Sequence, residues 1–262
     1  MKPNVDLLTI LGLSMAIHPL LTMWHEIGGH AVACAALGGH VATIGAYYVD
    51  CTGLAGWRSV VVSCAGVTVN AVLAVWAYAL WTRATQDRAR LVLWLIWVSE
   101  AFVAAGYFAF SGVSGFGDLG TGEGGGLEGL PMPVVIRVGE LLFGIAAYIL
   151  LVRAAIRSLN GMIGTGPQTD AVRKTIAHGF YAGAGAGAIL VGLLNPVGLI
   201  ITIMSAVASS FGGLAGFISV GYAIAPLDAP KPFSLARNRP VIIGGAAILI
   251  AFAAILGRSL YF

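Results

Sequence analysis

Long apolar stretches, separated by short polar or glycine-rich connections, run through the chain from end to end. About 20 apolar residues are enough for a helix to cross the hydrocarbon core of a bilayer. Stretches that reach or approach this length lie at roughly 7–37, 59–81, 91–113, 134–156, 175–194, 197–225 and 240–260. The pattern therefore predicts an all-α polytopic membrane protein with about seven transmembrane helices. The first stretch contains Pro19 and is too long for one straight span, so we expect it to be kinked, tilted or extended beyond the hydrocarbon.

The composition agrees with this class of protein. Of the 262 residues, 58% are hydrophobic and only 10% are charged, whereas soluble domains carry about 25% charged residues. The net charge of +3, without a long basic run, gives no reason to expect a nucleic-acid partner. The partners expected are the lipid bilayer and other membrane proteins.

The charged residues of the connections predict the orientation in the membrane. In a seven-span arrangement the basic connections all fall on one side, and they contain Lys2, Arg83, Arg88, Arg90, Arg153, Arg157, Arg173, Lys174, Lys231, Arg237 and Arg239. The other side carries Asp50, Asp118, Glu123 and Glu128, with Arg58 as its clear loop cation. Because cytoplasmic loops are enriched in Lys and Arg, we expect an inner (plasma) membrane protein with a cytoplasmic N-terminus.

Two connections on the acidic side have distinctive sequences. Residues 41–57 combine β-branched and aromatic residues with glycines, which predicts a short β-hairpin after the first span. Residues 111–129 form a glycine-rich loop that contains Asp118. The cysteines, Cys34, Cys51 and Cys64, are odd in number and show no C-x-x-C spacing, so we expect neither a disulfide framework nor a thiolate zinc site.

The hexapeptide H-E-I-G-G-H at residues 25–30 lies inside the first apolar stretch. Ionisable residues at membrane depth are rare and usually mark a functional site. Many zinc hydrolases bind their metal with two histidines on one helix and use a glutamate beside the first histidine as general base. The hexapeptide therefore indicates a metal site with His25 and His30 as ligands and Glu26 as the base.

The spacing of the two histidines makes a further structural prediction. Residues four apart on a regular α-helix lie about 40° apart around the axis, whereas residues five apart, such as His25 and His30, lie about 140° apart. A π-bulge would turn both side chains to one face, and such bulges are frequent at functional sites. Gly28 and Gly29 tolerate the unusual backbone angles that a bulge requires.

A catalytic zinc site needs a third protein ligand. Asp118 is the best candidate, because it follows the third span on the membrane side where the first span ends. His40 and Cys34 are reserve ligands. His18 lies about 10 Å from His25 along the helix axis and is expected to be structural. Glu100, within the third span, needs a polar partner or water.

The first three spans resemble the core of the site-2 protease family of intramembrane zinc metallopeptidases. The resemblance rests on the hexapeptide and on two shorter segments. A-G-V-T-V-N at residues 65–70 is similar to the family's A-G-P-x-x-N, with Val67 in place of proline. G-D-L-G at residues 117–120 is similar to the family's aspartate motif, without the usual N-P-x-P before it. The resemblance covers roughly residues 12–121, so we divide the chain into a three-helix metallopeptidase-like core, residues 1–121, and a four-helix membrane region of unassigned role, residues 122–262.

The resemblance implies an activity and assigns roles to residues. His25, His30 and Asp118 would bind zinc, Glu26 would act as general base, and Asn70 would position the substrate backbone. The hairpin would pair with an unwound substrate, which would be a transmembrane segment of another protein. The resemblance also places the zinc near the cytoplasmic face, whereas the loop charges place it nearer the outside.

Two other functions stay open at this point. The chain could be a non-catalytic subunit of a larger membrane complex, with or without a structural metal, in which the last four spans serve as a docking surface. It could also be a haem-binding redox subunit that uses histidines on different spans, such as His25 and His178.

Overall fold

Helices make up most of the described chain, as the long apolar stretches predict. The structure, a computed structural model, describes residues 3–199, 202–223 and 229–262. Its helices are α1 (Leu7–Met23), π1 (Trp24–Ala31), α2 (Val32–Ala36), α3 (Trp57–Trp81), α4 (Asp87–Ser114), α5 (Pro133–Ile163), α6 (Pro167–Gly192), π2 (Thr202–Gly212), α7 (Gly216–Tyr222) and α8 (Arg239–Ile255), where π1 and π2 are π-helical.

Within the described residues, six helical stretches are long and apolar enough to cross a membrane. The first, Leu7–Ala36, joins α1, π1 and α2 without a break, and the sixth, Met204–Tyr222, joins most of π2 to α7. The predicted seventh span corresponds to α8, which is apolar but shorter. The prediction of about seven spans is therefore confirmed for six long helices, and the seventh segment has only 17 residues.

The predicted β-hairpin is present after the first helical stretch. Strands β2 (His40–Ile44) and β3 (Val49–Thr52) pair antiparallel, with an irregularity between Val41 and Thr43. The C-terminal strand β7 (Leu260–Tyr261) pairs with the other edge of β2, which gives a three-stranded sheet in the order β3-β2-β7. We call the end of the helical bundle that carries this sheet the hairpin end.

Two small strand pairs hold connections together at the opposite end of the bundle. Strand β1 (Asn4–Val5) pairs parallel with β6 (Ser234–Leu235), and β4 (Gly164–Thr165) pairs antiparallel with β5 (Ala229–Pro230). These pairs bring together the N-terminus, the connection between α5 and α6, and the segment before α8. The described chain therefore begins at one end of the bundle and finishes at the hairpin end.

A disulfide bond joins Cys34 in α2 to Cys51 in β3, so the prediction that the chain has no disulfide was wrong. The two cysteines are 17 residues apart, and only the fold of the hairpin against α2 brings them together. A sequence search for short C-x-x-C pairs does not detect a disulfide between cysteines so far apart. Cys64 on α3 is free.

The core of the bundle is built around α4. Trp94 and Phe102 on this helix are fully buried against Phe217 of α7, which also contacts Phe180 of α6. Helix α1 packs against both α6 and α8, and α4 packs against α3 and α5. The helices of residues 1–121 therefore share one core with those of residues 122–262.

Candidate metal centre

The π-helical segment π1 places both histidines of the hexapeptide on one side of the helix. A π-helix hydrogen-bonds residues five apart, so side chains at that spacing come to the same face. The Nε2 atoms of His25 and His30 are accordingly 3.2 Å apart. The backbone distortion predicted from the H-E-x-x-x-H spacing is confirmed over Trp24–Ala31.

Asp118 joins the two histidines from the loop after α4. Its Oδ2 atom lies 3.1 Å from Nε2 of His25 and 3.4 Å from Nε2 of His30. Zinc bonds of roughly 2.0–2.1 Å in a tetrahedral site separate neighbouring ligand atoms by about 3.3 Å. The three separations, 3.1, 3.2 and 3.4 Å, match this value, so the donor set fits a tetrahedral zinc ion with one position left open.

The other ring nitrogen of each histidine faces a hydrogen-bond acceptor. Nδ1 of His30 lies 2.7 Å from the Val62 carbonyl oxygen, and Nδ1 of His25 lies 3.2 Å from Oδ1 of Asn70. In the Nδ1–H tautomer each ring donates to its oxygen, and its Nε2 is then free to bind a metal ion. Metal-binding histidines are usually held in this way, which fixes the tautomer and the ring orientation.

Helix α3 supplies the surface on which the imidazoles rest. A Cβ atom at Gly66 would lie 2.5 Å from Nε2 of both His25 and His30. A Cβ atom at Gly29 would lie 2.7 Å from the Cα of Gly66, so π1 and α3 approach backbone to backbone. These contacts give a structural reason for Gly66 and Asn70 within the A-G-V-T-V-N segment. The resemblance assigns the Asn70 side chain to the substrate backbone, whereas in the structure this side chain is buried behind His25.

The loop that carries Asp118 is folded by its glycines. Gly115 and Gly117 have φ angles of 77° and 83°, values that favour glycine. Backbone hydrogen bonds of 2.9 Å run from the amide of Gly122 to the carbonyl of Gly115 and from the amide of Gly126 to that of Gly117. Burial opposes ionisation of the Asp118 carboxyl, but the adjacent His30 and His25 rings outweigh burial and hold its pKa well below its usual range. The carboxylate is therefore available as a ligand.

A cavity of about 960 Å³ opens beside His30 and Asp118. Its walls include Glu26 and His30 of π1, Asp118, and residues of β3, α4, α5 and π2. Glu26, the expected general base, is only 5% exposed and faces this cavity. None of the described residues that line the cavity is Lys or Arg. The cavity is large enough for a short peptide segment and offers acidic and apolar surfaces to it.

A smaller cavity of about 30 Å³ lies behind Glu26, with room for one or two water molecules. Buried polar side chains of α1 and α4 line it, among them His18, Ser99 and Glu100. Nε2 of His18, Oγ of Ser99 and Oε2 of Glu100 have no hydrogen-bond partner within the described part of the chain. The expectation that Glu100 needs a partner or water agrees with this arrangement.

Tyr107 on α4 is a site residue that we did not predict from the sequence. Its hydroxyl oxygen is 3.2 Å from Nε2 of His25, and its ring stacks on the imidazole with centroids 5.1 Å apart and planes 12° apart. Tyr107 is one of eight tyrosines and belongs to no recognisable motif. Only the packing of α4 against π1 and α3 identifies it.

The other histidine and cysteine candidates lie outside this centre. Cys34 is bonded to Cys51 and is not available to a metal. His40 is exposed on β2, and His178 on α6 contacts the Ile218 carbonyl. Among the described residues, His25, His30 and Asp118 form the one group of His, Cys, Asp or Glu side chains placed to hold a metal. This grouping gives no support to a haem site between His25 and His178.

Comparisons with models of known protein families, with curated proteins and with solved structures found no match to the chain.

Proposed function

We propose that the protein is a zinc-dependent endopeptidase that cleaves a transmembrane segment of another membrane protein. The observation that carries this proposal is the spacing of the three ligand atoms, which matches a tetrahedral zinc site with one open position. Glu26 beside the ligands and the large cavity next to them add a base and a place for substrate.

In this mechanism His25, His30 and Asp118 would hold the metal, and Asn70 and the Val62 carbonyl fix the imidazole rings. When bound, zinc lowers the pKa of a coordinated water and polarises the peptide carbonyl. Glu26 accepts a proton from the water as its oxygen attacks the carbonyl carbon. Glu26 then delivers that proton to the amide nitrogen as the carbon–nitrogen bond breaks, which releases the amine and the carboxylic acid.

The proposed site of substrate binding is the edge of β3 that pairs with no other strand in the described part of the chain. β3 lies at the outside of the sheet, and Val49, Asp50 and Cys51 line the cavity. An extended peptide can add to such an edge through main-chain hydrogen bonds. A regular helix has already used its backbone groups in internal hydrogen bonds, so the substrate segment must unwind before it pairs with β3.

Two observations support an N-terminus in the cytoplasm and a site nearer the outside. The connections that carry most of the Lys and Arg residues lie at the end opposite the hairpin. The Cys34–Cys51 disulfide lies at the hairpin end, and disulfides persist in oxidising compartments outside the cytosol. The resemblance to site-2 proteases implies the reverse placement of the zinc, and we favour the placement that these two observations support.

Metal analysis and a cleavage assay test the proposal together. We expect one zinc per purified chain, lost in His25→Ala, and cleavage of a transmembrane peptide in detergent or liposomes. Glu26→Gln should retain zinc and lose about 10²–10⁴-fold in kcat, as expected for the loss of a general base. Glu123→Gln, an exposed acid in the Asp118 loop, is the matched control and should behave as the parent protein.

A second candidate is a non-catalytic subunit of a larger membrane complex with a structural metal. The position of the Tyr107 hydroxyl favours it, because structural zinc sites are closed by four protein ligands. Zinc-loaded protein that cleaves no peptide, and that loses its zinc in Tyr107→Phe, would support this candidate over the peptidase.

A further inference from the structure

We infer that Tyr107 is a catalytic residue, whose hydroxyl donates a hydrogen bond to the oxygen atom in the open coordination position of the metal. The inference rests on the proposed peptidase function and adds to it a residue that stabilises the developing charge on the substrate.

The Tyr107 hydroxyl lies on the Nε2 side of the His25 ring. Asn70 occupies the Nδ1 side of the His25 ring, while the Tyr107 oxygen lies 3.2 Å from Nε2, the atom that binds the metal. The parallel stacking of the two rings holds the hydroxyl beside this nitrogen. A metal ion bound to Nε2 at about 2.0–2.1 Å would therefore lie close to the hydroxyl.

The Tyr107 hydroxyl needs an acceptor once a metal ion is bound. In the tautomer of His25 that donates from Nδ1 to the Asn70 oxygen, Nε2 is an acceptor and the Tyr107 hydroxyl can donate to it. A metal ion takes up that lone pair and leaves the hydroxyl without this acceptor. An unpaired hydroxyl is unfavourable in such a site. The oxygen of the fourth position, from the water or from the substrate carbonyl, can serve as the new acceptor.

The charges around Tyr107 favour a hydrogen-bond donor over a fourth metal ligand. As a metal ligand, Tyr107 would act as a phenolate and add a negative charge to the one already carried by Asp118. The two positive charges of a zinc ion would then be matched by Asp118 and this phenolate, while the described walls of the cavity add the acidic Glu26 and Asp50 and no Lys or Arg. A neutral hydroxyl that donates a hydrogen bond fits these surroundings better.

This position suits charge stabilisation during hydrolysis. The carbonyl oxygen of the substrate gains negative charge as the water attacks, and a fixed donor aimed at that oxygen stabilises the transition state more than the ground state. Removing one such donor from an acyl-transfer enzyme reduces kcat by about 10²–10³-fold.

The test compares Tyr107→Phe with the parent protein and with Tyr181→Phe. Phenylalanine keeps the ring stacked on His25 and removes only the hydroxyl. Tyr181 donates to the Phe211 carbonyl at 3.0 Å and is absent from the walls of both cavities, so its variant is the matched control. The readouts are zinc content, kcat and KM for a transmembrane peptide, and the affinity of the zinc-loaded protein for acetohydroxamate, a chelator with a carbonyl oxygen.

We expect Tyr107→Phe to keep one zinc per chain, to lose about 10²–10³-fold in kcat with little change in KM, and to bind acetohydroxamate roughly 10-fold more weakly. Tyr181→Phe should match the parent protein in all four measurements. Loss of zinc in Tyr107→Phe would show that the hydroxyl is a ligand and overturn the inference. Unchanged kcat and chelator affinity would also overturn it while leaving the peptidase function intact. A parent protein that binds zinc and cleaves nothing would overturn the proposed function itself, and this inference with it.

Discussion

The two π-helical segments, π1 and π2, contribute to the same large cavity in different ways. π1 presents Glu26 and His30, while π2 presents small or apolar side chains such as Ser205 and Ser209. π1 therefore uses the wider helical turn to bring two histidines five residues apart onto one face. π2 carries no His, Asp or Glu, so its distortion shapes a wall. The same π-helical irregularity thus orients two histidine side chains in π1 and forms part of the cavity wall in π2.

The two segments are also held by different contacts. π1 lies backbone to backbone on α3 and is followed at once by α2, which the disulfide ties to β3. The end of π2 is held by tyrosines from other helices: the Tyr181 hydroxyl donates to the Phe211 carbonyl, and the Tyr148 hydroxyl donates to the Gly213 carbonyl and accepts from the Gly216 amide. We therefore expect substitutions around π1 to change metal binding and substitutions around π2 to change stability alone.

The largest effect is expected from Gly66→Ala. The new methyl group would lie 2.5 Å from Nε2 of both His25 and His30, so the rings or the two helices must move apart. We expect zinc affinity to fall by about 100-fold or more, as for disruption of residues that orient ligands, and stability to fall by roughly 1–3 kcal/mol from overpacking. Competition with a chromogenic zinc chelator and thermal unfolding in detergent would measure the two effects.

Gly139→Ala on α5 is the control, since a Cβ atom there meets no heavy atom within 4 Å. It should leave zinc affinity unchanged. Parent-like zinc affinity in Gly66→Ala would show that the imidazoles do not rest on α3 and would remove the main difference between π1 and π2.

The next effect concerns the disulfide. Replacing Cys34 and Cys51 together by Ala should lower stability by about 3 kcal/mol, the value expected for a closed loop of this length. Unfolding temperature measured with and without a reducing agent would detect this loss. Cys64→Ala, at the free cysteine, is the control and should retain the response to reductant. If a reducing agent did not lower the unfolding temperature of the parent protein, the disulfide would not stabilise α2, the segment after π1.

A smaller effect is expected from Asn70→Ala. The Nδ1–H group of His25 would lose its acceptor, and loss of such partners reduces metal affinity by about 10–100-fold. This change corresponds to roughly 1.4–2.7 kcal/mol. Thr68→Val is the control on the same helix, because its hydroxyl donates to the Cys64 carbonyl on an exposed surface. Equal zinc affinities in the two variants would exclude a positioning role for Asn70.

The contrast between π1 and π2 also shows which features could be predicted from the sequence. π1 could be predicted because two histidines at an unfavourable spacing make chemical sense only on a distorted helix. π2 has no chemically marked residue, and its sequence looks like one continuous apolar span from 197 to 225. In the structure that span is divided at Gly213–Ala215 between π2 and α7. A helical distortion such as π2, which affects only packing, leaves no recognisable pattern of polar and apolar residues in the sequence.

Within the candidate site, too, some features could be predicted from the sequence and others could not. Asp118 could be predicted because its loop follows the third span on the membrane side where the first span ends. The hairpin could be predicted because its residues favour strands. The Cys34–Cys51 bond and the contact between Tyr107 and His25 depend on how separate elements pack. Residues 82 positions apart, such as His25 and Tyr107, meet through tertiary contacts that no local spacing records.

The smallest effect is expected from Tyr181→Phe, which tests the role of π2 directly. The variant removes one hydroxyl that donates to the Phe211 carbonyl near the end of π2, and such a bond contributes about 0.5–1.5 kcal/mol to stability. For a chain of this size the unfolding temperature should fall by only a few degrees, roughly 2–4 °C per kcal/mol. Zinc affinity should not change, because π2 contributes no metal ligand. A fall in zinc affinity as large as that of Asn70→Ala would instead show that the π2 wall and the π1 site are energetically coupled, and the separation of their roles would be wrong.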